Sequence, residues 1–224
     1  AGLNIAGTVI VEASRLIEDN QWILDLAARD KFIKGFIGNL DPSEAAFPRY
    51  LDRFAANPLF RGIRLNEGRL RDWLDNPAVL ANLKMIEQRK LTLDVIGGRG
   101  VLDVAARLAS KLPALRIVVD HLPFADQAGL AELKPHANVY AKVSGILREV
   151  DGRVPLDVDF YRASLDEVWE TFGPARVVYA SNWPVSDKFG TYKQVHSIAA
   201  SYFAAKGESA RRQYFFDNSR RAYS

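Results

Sequence analysis

Residues able to do chemistry recur in this chain at one kind of place, the ends of short apolar runs. They are Glu12, Asn39, Asp41, Arg64, Asn66, Asp94, Asp120, His121, Lys142, Ser144, Ser181, Asn182 and Trp183. His121 follows Asp120 directly, and an imidazole at the mouth of a strand can move a proton in either direction near neutral pH. Adjacent strand residues point to opposite faces, so Asp120 is not expected to pair with the ring beside it. Glu12 and Asp94 are the candidate carboxylates for activating water. Arg64 carries a planar fork suited to a carboxylate or to a salt bridge with Glu12 or Asp94. Lys142 and Ser144 alternate onto one strand face, where Lys142 would steady negative charge on a reacting group. Asn182 can hold a substrate oxygen or a water, but it takes up no proton near neutral pH and is a poor metal ligand. Its alternative role is to tie down the turn before Pro184. Trp183 offers a ring face to a sugar or aromatic group, or packs the top of the core.

The elements that must position these residues alternate strictly. Apolar, β-branched runs at 7–13, 32–40, 60–65, 91–96, 115–120, 138–143 and 176–180 read as strands. Several are apolar nearly throughout, as strands covered on both faces should be. Asp41-Pro42-Ser43-Glu44 predicts a helix start with an N-cap, a first-turn proline and a capping-box glutamate. Asn76-Pro77 repeats the cap-proline signal before a helix at 78–90, and further helices are expected at 156–172, 192–205 and 209–216. The longest irregular stretch, 145–155, is a loop able to lie over a site. Gly97-Gly98-Arg99-Gly100 could cradle an anion or simply make a tight turn.

Seven strands in series with helices predict an α/β chain of the (β/α)8 TIM-barrel type, a single domain over 1–224 comprising strands 2 to 8 and a C-terminal helix. The first βα unit is expected to lie outside this chain. The rival, a doubly wound open sheet, should show a glycine-rich phosphate turn after its first strand. Glu12-Ala13-Ser14-Arg15 is not one. In a barrel the carboxyl ends of the strands face the active site, which brings the residues above together.

Composition narrows the function. With 224 residues, 48% hydrophobic and 25% charged, the chain can bury a large core. Thirty Lys+Arg against 27 Asp+Glu leave a formal charge of only +3, which gives no footprint for nucleic acid. No apolar run reaches the roughly 18 residues that span a membrane, and the absence of cysteine removes disulfides and thiolate chemistry. The expected setting is cytoplasmic, with a small-molecule substrate as partner, no nucleic acid or membrane, and homo-oligomerisation open. Arg211-Arg212 and Arg220-Arg221 interleave with Tyr214, Phe215, Phe216 and Tyr223 as in a solvated helix face packed on a core.

Three strand-end patterns carry a resemblance: Val118-Val119-Asp120-His121-Leu122-Pro123, Val139-Tyr140-Ala141-Lys142-Val143-Ser144-Gly145 and Val178-Tyr179-Ala180-Ser181-Asn182-Trp183-Pro184-Val185. Together with Gly7-Thr8-Val9-Ile10-Val11-Glu12-Ala13, Arg61-Gly62-Ile63-Arg64 and the closing Phe216-Asp217-Asn218-Ser219-Arg220-Arg221-Ala222-Tyr223, they resemble the sugar-lactonase-like branch of the amidohydrolase superfamily over almost the whole chain. The resemblance implies a TIM-barrel hydrolase that opens small lactones or related cyclic esters, often with a divalent metal such as zinc. It also implies a His-x-His pair on the first strand, which this chain does not carry, and an aspartate on the last, where Asn182 stands. A metal-free mechanism is also open because Asn182 replaces the expected aspartate, and His121 is the one natural nitrogen donor among the strand ends. On this reading His121, Asn182 and Asp94 are the catalytic candidates, with Glu12, Arg64, Lys142, Ser144 and Trp183 on the substrate. His136 and His196 are expected to be structural. The alternatives are a metal-dependent decarboxylase of the same superfamily and a silent barrel that only binds a ligand.

Overall fold

Alternation of apolar residues along each run decides which way the chain curls. The computed structural model describes residues 3–98, 100–124 and 127–224. Its seven strands are β1 (Thr8–Val11), β2 (Ile33–Gly38), β3 (Phe60–Asn66), β4 (Thr92–Ile96), β5 (Arg116–Leu122), β6 (Val139–Val143) and β7 (Val177–Tyr179). All pair in parallel and in sequence order, so each strand lies beside the next in the chain. Parallel neighbours need a crossover, and the helices supply it: α1 (Ile17–Arg29), α2 (Phe47–Ala55), α3 (Glu67–Trp73), α4 (Pro77–Gln88), α5 (Val101–Lys111), α6 (Val158–Phe172) and α7 (Tyr192–Ala205). Short helices α8 (Glu208–Arg212) and α9 (Asn218–Ala222) follow.

Outward residues such as Leu93, Ile117, Val139 and Val177 join the large core under the helices. Inward residues Ile37, Val118 and Val178 form a second, smaller cluster with Ala222 and Tyr223, and Val9, Val11 and Tyr140 pack against it. The sheet thus curls around its own interior, as the barrel reading requires. β1 and β7 are the outer strands of the order, and β1 is half-buried along its length whereas β4 is buried except at Ile96.

The helix signals hold where a side chain can reach the first turn. Asn76 accepts from the amides of Ala78 and Val79, Asp157 from Asp159, and Thr191 with Gln194 completes a capping box on α7. The expected start at Asp41 does not form. Its carboxylate accepts from Ser43 N at 2.8 Å and Ser43 Oγ at 2.6 Å and pairs with Arg69 at 2.9 Å, which makes a turn, and α2 begins only at Phe47. The single helix expected at 209–216 is broken by a wide π-type turn over Gln213–Asp217. Beyond that turn Asn218, buried completely, donates to the carbonyls of Pro174 at 2.8 Å and Val177 at 2.7 Å. Those bonds hold the chain so that Ala222 and Tyr223 enter the interior from below the sheet.

Candidate active site

Three strand ends meet at the mouth, and each turns there with an unusual backbone. His121 has φ 65°, Gly145 φ 62° and Asn182 φ 54°. Glycine takes this left-handed region freely and asparagine fairly readily, but for histidine it costs about 1–3 kcal/mol, strain that clusters where function holds a residue in place. The turn brings His121 Nδ1 to 2.9 Å from Ser144 Oγ. A methyl group placed on Gly145 would lie 3.2 Å from Asn182 Nδ2 and 3.8 Å from His121 Nδ1, so both side chains close on the same glycine. Burial lowers the pKa of His121 below its usual value, with nearby Asp120 opposing the shift. The ring is therefore a neutral imidazole at neutral pH. With Nδ1 engaged by Ser144, Nε2 is the atom left for proton transfer.

The rim beside this trio is aromatic. Trp183 is 48% exposed and meets Tyr192 edge-on, with ring centroids 5.9 Å apart. Ser181 Oγ accepts from Trp183 N at 3.2 Å, and the Asn182 carbonyl accepts from Ser186 N at 2.8 Å, which fixes the turn that presents the indole.

Beneath the mouth the inward residues of four strands form a charged chain. Arg64 Nε donates to Glu12 Oε1 at 3.0 Å, its Nη2 donates to the Glu12 carbonyl, and Nη1 lies 3.5 Å from Asp120 Oδ2. Lys142 Nζ lies 2.6 Å from Asp120 Oδ1 as an ion pair and donates to Asp94 Oδ2 at 2.5 Å. Tyr223 Oη donates to the same Asp94 oxygen at 3.1 Å, while among the described residues Asp94 Oδ1 has no hydrogen-bond partner. Burial pushes the Asp94 carboxyl up to about 6 against the pull of Lys142. Burial alone would lower the Lys142 ammonium, but Asp120 and Asp94 outweigh it and raise it well above its ordinary value.

His121, Ser144 and Asn182 therefore come together, as do Glu12 and Arg64, both less than a fifth exposed at the upper end of the charged chain. Asp94 and Lys142 sit lower, at 0% and 4% exposure, and Ser144 at 1% supports the imidazole from behind. All three are more deeply buried than Glu12, Arg64, His121 and Asn182, which are only partly buried. Asn39 donates to the Ser14 carbonyl and Asn66 caps α3. His136 and His196 are away from the mouth, His196 packed on Tyr179 and Phe215. In the glycine turn Gly98 N donates to Glu67 Oε2 at 2.9 Å, so the anion seated there is the chain's own side chain; Arg99 lies outside the described residues. Two contributors went unread in the sequence, Tyr192 at the rim and Tyr223 below. Tyr223 stood in the sequence as one of several aromatics among arginines and as the last residue of the closing motif, with no role attached to it.

A catalytic zinc asks for three or so nitrogen and carboxylate donors converging on one point. Among the described residues no three His, Cys, Asp or Glu side chains are so placed. Asp94 and Asp120 are instead bridged by an ammonium, and Asn182 offers an amide. The donors present do not fit a zinc centre.

The amidohydrolase family model matches residues 1–224. The chain is 32% identical over 201 residues to an L-fucono-1,5-lactonase from Burkholderia ambifaria, covering 83% of this chain and 68% of that one. A second L-fucono-1,5-lactonase, from Burkholderia multivorans, is 23% identical over 93% of this chain and 77% of its own. Among solved structures, an amidohydrolase from Burkholderia multivorans with bound zinc superposes with a TM-score of 0.88 at 21% identity, covering 97% of this chain and 83% of that one. A putative 2-pyrone-4,6-dicarboxylic acid hydrolase from Pseudomonas putida gives a TM-score of 0.75 at 21% identity, over 97% and 82%. The curled parallel sheet, the strand-end site and these likenesses agree: the chain belongs to the amidohydrolase family of TIM-barrel hydrolases.

Proposed function

We propose that this hydrolase opens a small sugar lactone, with His121 as its general base and acid. The observation that carries the reading is the meeting of a neutral imidazole, an amide and a buried hydroxyl on three left-handed strand ends at the barrel mouth. The 32% identity to an L-fucono-1,5-lactonase points to the same substrate class.

The chemistry follows from the positions. Ser144 accepts from Nδ1–H, which leaves the lone pair of Nε2 to take a proton from water as its oxygen bonds to the lactone carbonyl carbon. The carbonyl oxygen gains negative charge, and Asn182 Nδ2 donates to it. The ring C–O bond then breaks, the leaving alkoxide takes the proton back from Nε2, and a hydroxy acid results. Arg64, oriented by Glu12, holds ring hydroxyls and the new carboxylate, and Trp183 lies against the ring face.

Hydrolysis of L-fucono-1,5-lactone, followed by acid release in a pH-stat, tests this. The parent should turn over and His121→Asn should lose at least ~100-fold in kcat with an unchanged circular dichroism spectrum. Equal rates in the two proteins would overturn the assignment of His121, and no turnover in the parent would favour a barrel that only binds its ligand.

A further inference from the structure

The charged chain beneath the mouth does not stop at the strands. Its lowest member comes from the opposite end of the barrel, and nothing in the proposed chemistry uses it. We propose that Tyr223 is a positioning residue, whose hydroxyl fixes the Asp94–Lys142–Asp120 cluster and thereby the hold on Arg64 at the substrate end. This rests on Arg64 being the substrate-facing cation of the lactone site.

The geometry is continuous. Tyr223 Oη reaches Asp94 at 3.1 Å, and its ring centroid lies 5.6 Å from Lys142 Nζ. Lys142 bridges to Asp120, and Asp120 Oδ2 faces Arg64 Nη1 at 3.5 Å. Three carboxylates (Glu12, Asp94, Asp120) and two cations (Arg64, Lys142) share this interior, which leaves it one negative charge in excess. Lys142 has two acids to satisfy and one ammonium to do it with. The phenol supplies Asp94 with a donor that Lys142 then need not supply alone, so Lys142 stays on Asp120 and Asp120 takes less from Arg64. The segment is anchored well enough to act in this way. Thr92 Oγ1 donates to the Ala222 carbonyl at 2.5 Å, Arg116 donates to Ser224 O at 2.5 Å, and Asn218 is tied to β7.

The groups facing Asp94 are Lys142 from β6, Asp120 from β5 and Tyr223 from below, with Arg64 its register partner on β3. Losing the phenol donor removes stabilisation from the ionised carboxylate. Tyr223→Phe keeps the ring and its packing, and should raise the Asp94 titration midpoint by about one pH unit, read by carbon-13 NMR of the carboxyl. With L-fucono-1,5-lactone it should raise KM several-fold while kcat stays within a factor of two, because Arg64 binds and does not transfer the proton. In an Asp94→Asn background the same change should leave KM unmoved. Thr92→Val, which cuts the tether without touching Asp94, should lower the melting temperature and leave both readouts where they were. An unchanged Asp94 midpoint in Tyr223→Phe, or a KM that rises as much in the Asp94→Asn background as in the parent, would overturn the proposal. The NMR arm decides this even if the lactone is not a substrate, and Asp94→Asn reads the contact from the other side if Tyr223→Phe folds poorly.

Discussion

Lys142→Met is the sharpest test of the interior. The substitution keeps the length of the side chain and removes the ammonium lying 2.5 Å from Asp94 and 2.6 Å from Asp120, both essentially inaccessible to solvent. Breaking a buried ion pair from one side costs about 3–5 kcal/mol, because a charge is left without compensation. For a domain of this size that corresponds to a melting temperature lower by roughly 6–20 °C. The pH dependence has a definite sign. Burial already holds the Asp94 carboxyl up at about 6, and Lys142 is the first influence opposing it. Without the ammonium the folded-state pKa rises further above the unfolded value. A carboxyl raised in this way contributes stability that is present below its unfolded pKa and lost as pH climbs through the folded one. The variant should therefore be most destabilised near pH 8 and recover part of the loss near pH 5, where Asp94 holds its proton. Urea denaturation at the two pH values measures this. A variant as stable as the parent at pH 8, or one that loses more at pH 5 than at pH 8, would refute the account of the interior.

Three further outcomes are expected. Gly145→Ala forces a side chain into a left-handed conformation and sets a methyl 3.2 Å from the Asn182 amide, so it should cost about 1 kcal/mol of stability and lower kcat, read by denaturation and by lactone turnover together. Asn218→Ala leaves the Pro174 and Val177 carbonyls without their donor and should cost about 1–3 kcal/mol by urea denaturation. Asn182→Asp brings a negative charge to the glycine that His121 also closes on. It should stabilise the imidazolium and move the acid limb of the pH–rate profile upward by about one unit, as steady-state kinetics between pH 5 and 8 would show.

All seven strands were legible because each is a short apolar run closed by polar residues, and the observed strands fall within a residue or two of those bounds. Asn76 and Pro77 were legible for the same local reason: the cap reaches only two or three residues ahead. Asp41 shows where such signals mislead. Its carboxylate had a nearer donor in Ser43 and a distant one in Arg69, and only the fold reveals the second. The site divides similarly. That His121, Asn182, Arg64 and Lys142 stand at strand ends follows from the chain alone. Which carboxylate each cation takes depends on register between strands and on how deep each side chain lies, so the Lys142 bridge between Asp94 and Asp120 could not be read. Tyr223 is further still from legibility, since its contact with Asp94 spans 129 positions and depends on the widened turn at Gln213–Asp217.

The carboxylate of Glu67 has a mechanical consequence. It leaves the end of β3, enters the glycine turn after β4 to accept from Gly98 N, and takes Arg71 on its other oxygen. Two neighbouring loops of the rim are thereby clasped into one stiff piece, whereas the stretch 145–155 after β6 closes on itself through Val150 and Arg153. Displacement of the rim on substrate entry would then be carried by the β6 side, and changes engineered there should retune which ring is admitted without slackening the opposite wall.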